Sequence, residues 1–133
     1  MLVRRKKPAG FTIIELMVVI SIILIIVSIA VPIYTQSILR AKEAVLRQDL
    51  FAMRSAIDQY TMDKAKAPQA LHDLVQEGYL REVPKDPFTE SRDTWQAAQE
   101  DVLLSIDQNQ PGITDVHSGS NRMGSDGTAY NTW

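Results

Sequence analysis

The stretch that decides the fold is GFTIIELMVVISIILIIVSIAVPIY, residues 10–34. Its part from Leu16 to Ile33 contains no charged residue, and counting back to Phe11 adds further apolar length. A helix of roughly 20 apolar residues crosses the ~30 Å hydrocarbon core of a bilayer. The stretch therefore predicts a membrane-spanning helix close to the N-terminus.

A basic cluster, Arg4, Arg5, Lys6 and Lys7, precedes this stretch, whereas the whole chain has a net charge of −2, so the remainder is acidic. A secretory signal peptide also begins with cations, but its apolar run is ~7–15 residues long and ends at a small-residue cleavage site. Here the run is longer and a polar helical pattern follows it. The positive-inside rule places the N-terminus in the cytoplasm and the C-terminal part across the membrane.

Composition excludes several classes of protein. With 133 residues, 45% of them hydrophobic, the chain is long enough for one small domain. The absence of cysteine excludes a disulfide scaffold, a thiol nucleophile and a cysteine-ligated metal. The near-neutral charge argues against nucleic-acid binding, and the sequence contains no nucleophile or phosphate-binding motif. The chain is therefore not expected to be an enzyme.

Glu15 is the exception within the apolar stretch. A carboxylate near the centre of a bilayer costs roughly 2.5–3.5 kcal/mol or more. Either Glu15 lies near the membrane interface, or it meets a cation that another chain supplies. The second reading is favoured because Gly10, an accessible peptide position, lies between the basic cluster and Glu15.

The basic leader, the G-F-T-x-x-E motif and the charge-free span together resemble the class III signal sequence of the type IV pilin and pseudopilin superfamily. This resemblance implies that a prepilin peptidase cuts after Gly10 and methylates the new amino group of Phe11. It further implies that Glu15 pairs with the Phe11 amine of a neighbouring subunit during assembly. A buried carboxylate is tolerated when it is paired in this way.

Beyond Pro32 the pattern becomes amphipathic. Apolar residues recur every three or four positions and predict one buried face of a helix: Leu46, Leu50, Met53, Ile57 and Tyr60. Arg47, Asp49, Arg54 and Asp58 fall off that face. We therefore expect one long helix from about Thr12 to Asp63, kinked at Pro32 because proline removes a backbone donor.

The remaining residues predict a small head of mixed structure. Leucines at 71 and 74 indicate a short helix that ends at Gly78. Short strands are predicted at Val102–Asp107 and Ile113–His117, joined by a turn at Asn109–Gly112, and the segment Ser118–Asp126 is predicted to be a loop.

Motifs in the head resemble one branch of the superfamily, the major pseudopilin G of type II secretion. The matching segments are I-D-x-Y at residues 57–60, G-Y-L at 78–80, D-P-F at 86–88 and D-G-T-x-Y-x-x-W at 126–133. Residues 89–110 match weakly. The chain resembles a short, cysteine-free variant of that branch.

The same resemblance implies a calcium ion in the C-terminal loop. Gly124-Ser125-Asp126-Gly127 matches the core of that loop, so Asp126 and Ser125 are the candidate ligands. Calcium takes 6–8 oxygen ligands, yet no acidic residue follows Asp126, and Arg122 adds a positive charge. Asp115 could contribute if the fold brought it near. The alternative is a turn closed by its own hydrogen bonds.

Together these observations predict an α+β, type IV pilin-like fold. Residues 1–10 form a cleaved leader, 11–34 the transmembrane and filament-core half of the first helix, and 35–133 its amphipathic half plus a periplasmic head with a short helix and a small antiparallel sheet. The expected function is that of a structural subunit of a type II secretion pseudopilus. The alternatives are a type IV pilus or DNA-uptake subunit, and a signal-anchored periplasmic enzyme or binding module.

The resemblance also implies partners and a location. The expected partners are further copies of the chain, the prepilin peptidase, minor pseudopilins, an inner-membrane platform protein and the secretion ATPase. The subunit is expected first in the inner membrane and then in a periplasmic filament.

Overall fold

A computed structural model describes residues 9–100, 106 and 111–133. The elements in chain order are helix α1 (Ile13–Lys64), helix α2 (Leu71–Gln76), strand β1 (Gln96–Gln99), strand β2 (Ile113–His117) and a 3₁₀ turn (Tyr130–Thr132). The chain divides into two compact units, residues 1–38 and 39–133. The long helix, short second helix and two-stranded sheet confirm the predicted α+β, pilin-like fold.

The first unit contains the N-terminal half of α1. Helix α1 begins at Ile13 because the Thr12 hydroxyl accepts the Glu15 amide at 3.2 Å and so caps the first turn. Its apolar side chains are exposed throughout; Ile14, for example, is 74% exposed. By length and composition α1 could cross a membrane, and it is the one such helix in the described part of the chain.

The hydroxyl groups of the span bond within the helix itself. Ser21 donates to the Met17 carbonyl at 2.8 Å, and Ser28 donates to the Ile25 carbonyl at 2.7 Å. Each hydroxyl is therefore satisfied without water, as an apolar environment requires. The helix continues unbroken through Pro32, and the kink expected there stays a prediction.

The second unit is built around the C-terminal half of α1. The residues of the predicted stripe are all buried, which confirms it as the core face: Leu46, Leu50, Met53, Ile57 and Tyr60. From the head, which we define as residues 65–133, Leu74, Trp95, Ile113, Val116 and Tyr130 complete the hydrophobic core. The helix ends at Lys64, one residue beyond the predicted end.

Helix α2 follows the turn after α1. The Asp73 carboxylate accepts the amides of Gln69 and Ala70 at 2.9 and 3.0 Å, which stabilises the beginning of the helix. Gly78 ends this region with φ of +80°, the left-handed conformation that favours glycine, as the sequence predicted. Leu74 anchors the helix because its side chain is completely buried.

The sheet consists of β1 and β2 in antiparallel register, with Gln96 opposite His117 and a bulge between Ala98 and Gln99. Strand β2 has the bounds that the sequence predicted. The strand predicted at Val102–Asp107 lies outside the described residues except for Ile106, which is in a turn. Of the predicted turn Asn109–Gly112, the first two residues also lie outside them.

The segment after β2 forms a closed C-terminal loop, which we define as residues 122–130. Met123 and Ala129 form an isolated antiparallel bridge, and the Tyr130 amide donates to the Arg122 carbonyl at 3.0 Å. Gly127, at the tip, has φ of +81°. At the end of the loop the ring of Tyr130 stacks on the ring of Phe88, with the two centroids 3.9 Å apart.

Candidate functional site

The predicted processing site lies immediately before α1. Gly10 and Phe11 are both exposed, and Phe11 is 81% exposed. Apart from the neighbouring residues in the chain, a Cβ placed on Gly10 would meet no described atom within 4 Å. This arrangement leaves the bond accessible to a protease.

Glu15 lies in the first turn of α1, the position at which the helix dipole favours a carboxylate. Its backbone amide is capped by Thr12, and its side chain is exposed. No lysine or arginine within the described ranges forms an ion pair with it. The pairing cation that the sequence predicts is therefore not a lysine or arginine of the described residues.

Glu43 is the polar centre of the second unit, although the sequence analysis did not single it out. It lies on α1, is 5% exposed, and accepts three hydrogen bonds from residues more than eighty positions away. The Ser125 amide donates to Oε1 at 2.7 Å, and the Ser125 hydroxyl donates to Oε2 at 2.6 Å. The Tyr130 hydroxyl also donates to Oε1, at 2.9 Å.

These contacts decide the protonation state of Glu43. Burial alone would raise the pKa of this carboxyl, but the hydrogen bonds from Ser125 and Tyr130 and the nearby Arg47 outweigh it and hold the pKa below its ordinary value. The same burial, together with the bond to Glu43, raises the pKa of Tyr130 to about 12. At neutral pH the site is therefore an ionised carboxylate surrounded by neutral donors.

Ser125 and Asp126, the candidate calcium ligands, are occupied by other partners. The amide and the hydroxyl of Ser125 both donate to Glu43. The Asp126 Oδ1 accepts the Thr128 amide at 2.9 Å and the Thr128 hydroxyl at 2.6 Å, which is the turn closed by its own hydrogen bonds. These bonds hold the pKa of Asp126 below its ordinary value.

The fold does not bring Asp115 to this loop as a free ligand. Its Oδ1 accepts Arg54 Nε at 2.6 Å and the Val116 amide at 2.7 Å. Within residues 9–100, 106 and 111–133, no group of three histidine or acidic side chains converges on one point. The residues present therefore do not fit a calcium ion, which requires many oxygen ligands.

Arg54 is a second polar connection between α1 and the head. Besides Asp115, its guanidinium donates to the Val116 carbonyl at 3.0 Å and to the carbonyl of Trp133. Although burial opposes ionisation of Asp115, the amide of Val116 and Arg54 lower the pKa of that carboxyl. One side chain thus ties strand β2 and the last residue to the helix.

The position of Glu43 relative to the apolar residues of α1 would have identified it as buried. Glu43 lies three positions before Leu46 and seven before Leu50, so it belongs to the buried stripe. A carboxylate in such a register must find donors elsewhere in the fold. Arg54 follows Met53 directly and borders the same stripe at the edge of the head.

The D-P-F motif has a structural role that its sequence did not disclose. Asp86 is completely buried, and its carboxylate accepts the Ser118 hydroxyl at 2.5 Å and the Phe88 amide at 2.8 Å. The carboxylate thereby connects the loop that contains Pro84 and Pro87 to the segment after β2. These bonds position Phe88 against Tyr130.

Comparison with known proteins gives consistent matches. The prokaryotic N-terminal methylation motif matches residues 5–31. The type II secretion system core protein G of Klebsiella michiganensis is 31% identical over 131 aligned positions, covering 84% of this chain and 92% of the relative. The protein of the same name from Pseudomonas aeruginosa is 33% identical, covering 64% of this chain and 71% of the relative. That from Escherichia coli K12 is also 33% identical, covering 62% of this chain and 68% of the relative.

No solved structure shows significant similarity to the chain. The three relatives nevertheless have the same name, and the first of them is matched over nearly its whole length. The methylation motif includes Gly10, Phe11 and Glu15 and most of the apolar stretch that follows. The chain therefore belongs to the type II secretion system core protein G family, the major pseudopilins.

Proposed function

We propose that the chain is the structural subunit of a type II secretion pseudopilus, a filament that helps to export folded proteins across the outer membrane. The observation that carries the proposal is the N-terminal segment, in which a methylation motif overlaps the apolar first half of helix α1, where Glu15 is the one carboxylate. Membership of the core protein G family supports a structural rather than an enzymatic role.

Processing is proposed as the first step. A prepilin peptidase cleaves between Gly10 and Phe11, removes the basic leader, and methylates the Phe11 amine. The exposed, uncrowded peptide bond supports this step. The chain is thereby divided into a leader (1–10), a span (11–34) and an amphipathic half-helix with its head (35–133).

Assembly is proposed to depend on Glu15. In a filament, the apolar first halves of neighbouring helices pack together, and Glu15 of one subunit pairs with the Phe11 amine of the next. The pair supplies register, because apolar surfaces alone fit in many registers. The absence of an internal cation for Glu15 in the described part of the chain supports this role.

The subunit is membrane-anchored before assembly. We propose that its N-terminus is cytoplasmic and its head periplasmic, following the positive-inside rule. Extraction from lipid gains little apolar energy, so a motor must drive it. We propose the secretion ATPase, acting through the inner-membrane platform protein, with minor pseudopilins as further partners.

The test is a replacement experiment in a secretion strain that lacks its own major pseudopilin. The full chain, supplied with prepilin peptidase, should restore export of the cargo, and mass spectrometry should find N-methylated Phe11 as the first residue. A Gly10→Val variant is the control, since it should keep the leader and restore no export.

Two results would contradict the proposal. An uncut N-terminus would indicate that the chain is instead a signal-anchored protein of the periplasm. Correct processing with surface filaments but no export would instead identify a pilus subunit.

A further inference from the structure

We propose that in this chain the carboxylate of Glu43 takes the place of a loop metal: it closes the C-terminal loop on helix α1, so the head folds fully without calcium. The inference concerns the folded head and does not depend on what the filament exports. It starts from the mismatch between the resemblance, which implies calcium, and the groups that surround the loop.

The first argument is the geometry of the carboxylate. Both of its oxygens accept hydrogen bonds from residues 122–130, at distances between 2.6 and 2.9 Å. Charge-assisted bonds of this length are about twice as strong as neutral ones. Because Glu43 is buried, water has limited access to its side of these bonds.

The second argument is the chemistry of the groups around Glu43. A divalent cation needs oxygen lone pairs directed towards it. Around Glu43 the loop instead directs N–H and O–H groups inward, which complement an anion. A single carboxylate therefore satisfies all three donors, of which the Ser125 N–H has no lone pair to offer a metal ion.

The third argument is the charge next to the loop. The Arg47 guanidinium lies 4.5 Å from the centre of the Trp133 ring and interacts with the carboxylates of both Glu43 and Asp126. It lines a cleft of about 560 Å³ together with Asp126 and Thr128. A calcium ion beside Asp126 would have to approach this fixed positive charge.

The three hydrogen bonds that Glu43 accepts, which we call the clamp, also explain how the short loop is anchored. Ser125 lies near the tip of the loop and Tyr130 at its end, so one side chain of α1 fixes two points of residues 122–130. Thr128 is joined to Trp133 by a further hydrogen bond of 2.6 Å. The loop is therefore held by protein groups at its tip, its side and its end.

The test is thermal unfolding of the full chain in detergent, followed by tryptophan fluorescence, with calcium chloride or with excess EGTA. An ion that binds the folded loop raises Tm as its concentration rises. We expect the two Tm values to agree. We expect Glu43→Gln to lower Tm by roughly 5–10 °C under both conditions, because buried donors lose a charged acceptor.

Glu77→Gln is the matched control. Glu77 follows helix α2 directly, and its carboxylate makes an exposed ion pair with Lys64 at 2.9 Å, so the variant should leave Tm nearly unchanged. Hydrogen exchange supplies a local readout: the Ser125 amide should lose protection in Glu43→Gln and keep it in Glu77→Gln. If Glu43→Gln fails to fold, Ser125→Ala tests the same contact more mildly.

A rise in the Tm of the wild-type chain with calcium, reversed by EGTA, would overturn the proposal. Unchanged protection of the Ser125 amide in Glu43→Gln would overturn it equally. Weak or absent protection of that amide in the wild-type chain would also do so, since the clamp would then not exist in solution.

Discussion

Helix α1 contains two glutamates in opposite situations. Glu15 lies in the first unit among apolar side chains that are all exposed, and no lysine or arginine in the described ranges pairs with it. Glu43 lies in the second unit, is buried, and accepts three hydrogen bonds from the head. The second half of the helix obtains its contacts from its own chain, whereas the proposed function assigns those of the first half to the membrane and to neighbouring subunits.

The apolar patterns differ in the same way. The span is apolar on all sides, as a helix surrounded by lipid or by other helices must be. After it, apolar residues recur every three or four positions, and the head covers that single face. Folding therefore uses one half of the helix and leaves the other half for the membrane and for assembly.

The largest expected effect comes from removing the charge of Glu15. Glu15→Gln should abolish or disorder filament assembly while leaving the Tm of the head unchanged, because Glu15 is exposed and lies outside the unit that contains the head. Electron microscopy and sedimentation of processed subunits measure the first effect, and fluorescence melting measures the second. Normal filaments from Glu15→Gln would show that its charge is not needed for register.

The next largest effect is a difference in stability between a substitution in the buried stripe and one in the exposed span. Leu46→Ala should destabilise the head by about 2–5 kcal/mol, because it leaves a cavity in a fully buried position. Ile22→Ala, in the exposed span, should change the stability of the head by less than about 0.5 kcal/mol. Urea unfolding of both variants in the same detergent tests this contrast, and equal losses would refute it.

Sequence patterns predicted what short-range periodicity determines. The span, the buried stripe and strand β2 all follow from residues close together in the chain. Strand β1 was not predicted because its sequence, QAAQ, contains no β-branched or aromatic residue, so its conformation depends on pairing with β2. Glu43 was missed because its donors lie 82 and 87 positions away, and a lone glutamate on a helix is usually solvated.

A smaller effect is expected at Arg54, the second connection between the helix and the head. Arg54→Lys keeps the charge but cannot reach Asp115, Val116 and Trp133 together, since lysine lacks the planar fork of donors. We expect a loss of about 1–2 kcal/mol in urea unfolding. Arg92→Lys is the control, because Arg92 makes only an exposed pair with Glu82 at 3.0 Å among the contacts described, and it should cost less than about 0.5 kcal/mol.

The last effect is confined to alkaline pH and concerns Tyr130. Burial, with the hydrogen bond to Glu43, raises the pKa of this phenol from its ordinary 10.0 to about 12. The folded protein therefore keeps the phenolic proton after the unfolded chain has lost it. The stability contributed by the neutral phenol is fully present below pH 10.0 and is lost as the pH rises to about 12.

Tyr130→Phe removes this titration together with the bond to Glu43. The variant should be less stable than the wild-type chain at neutral pH, and the difference should narrow between pH 10 and 12. Urea unfolding as a function of pH measures it, with Tyr34→Phe, in the exposed span, as the control. A difference that stays constant across that range would mean that Tyr130 ionises as easily folded as unfolded, and that the contact with Glu43 is weak in solution.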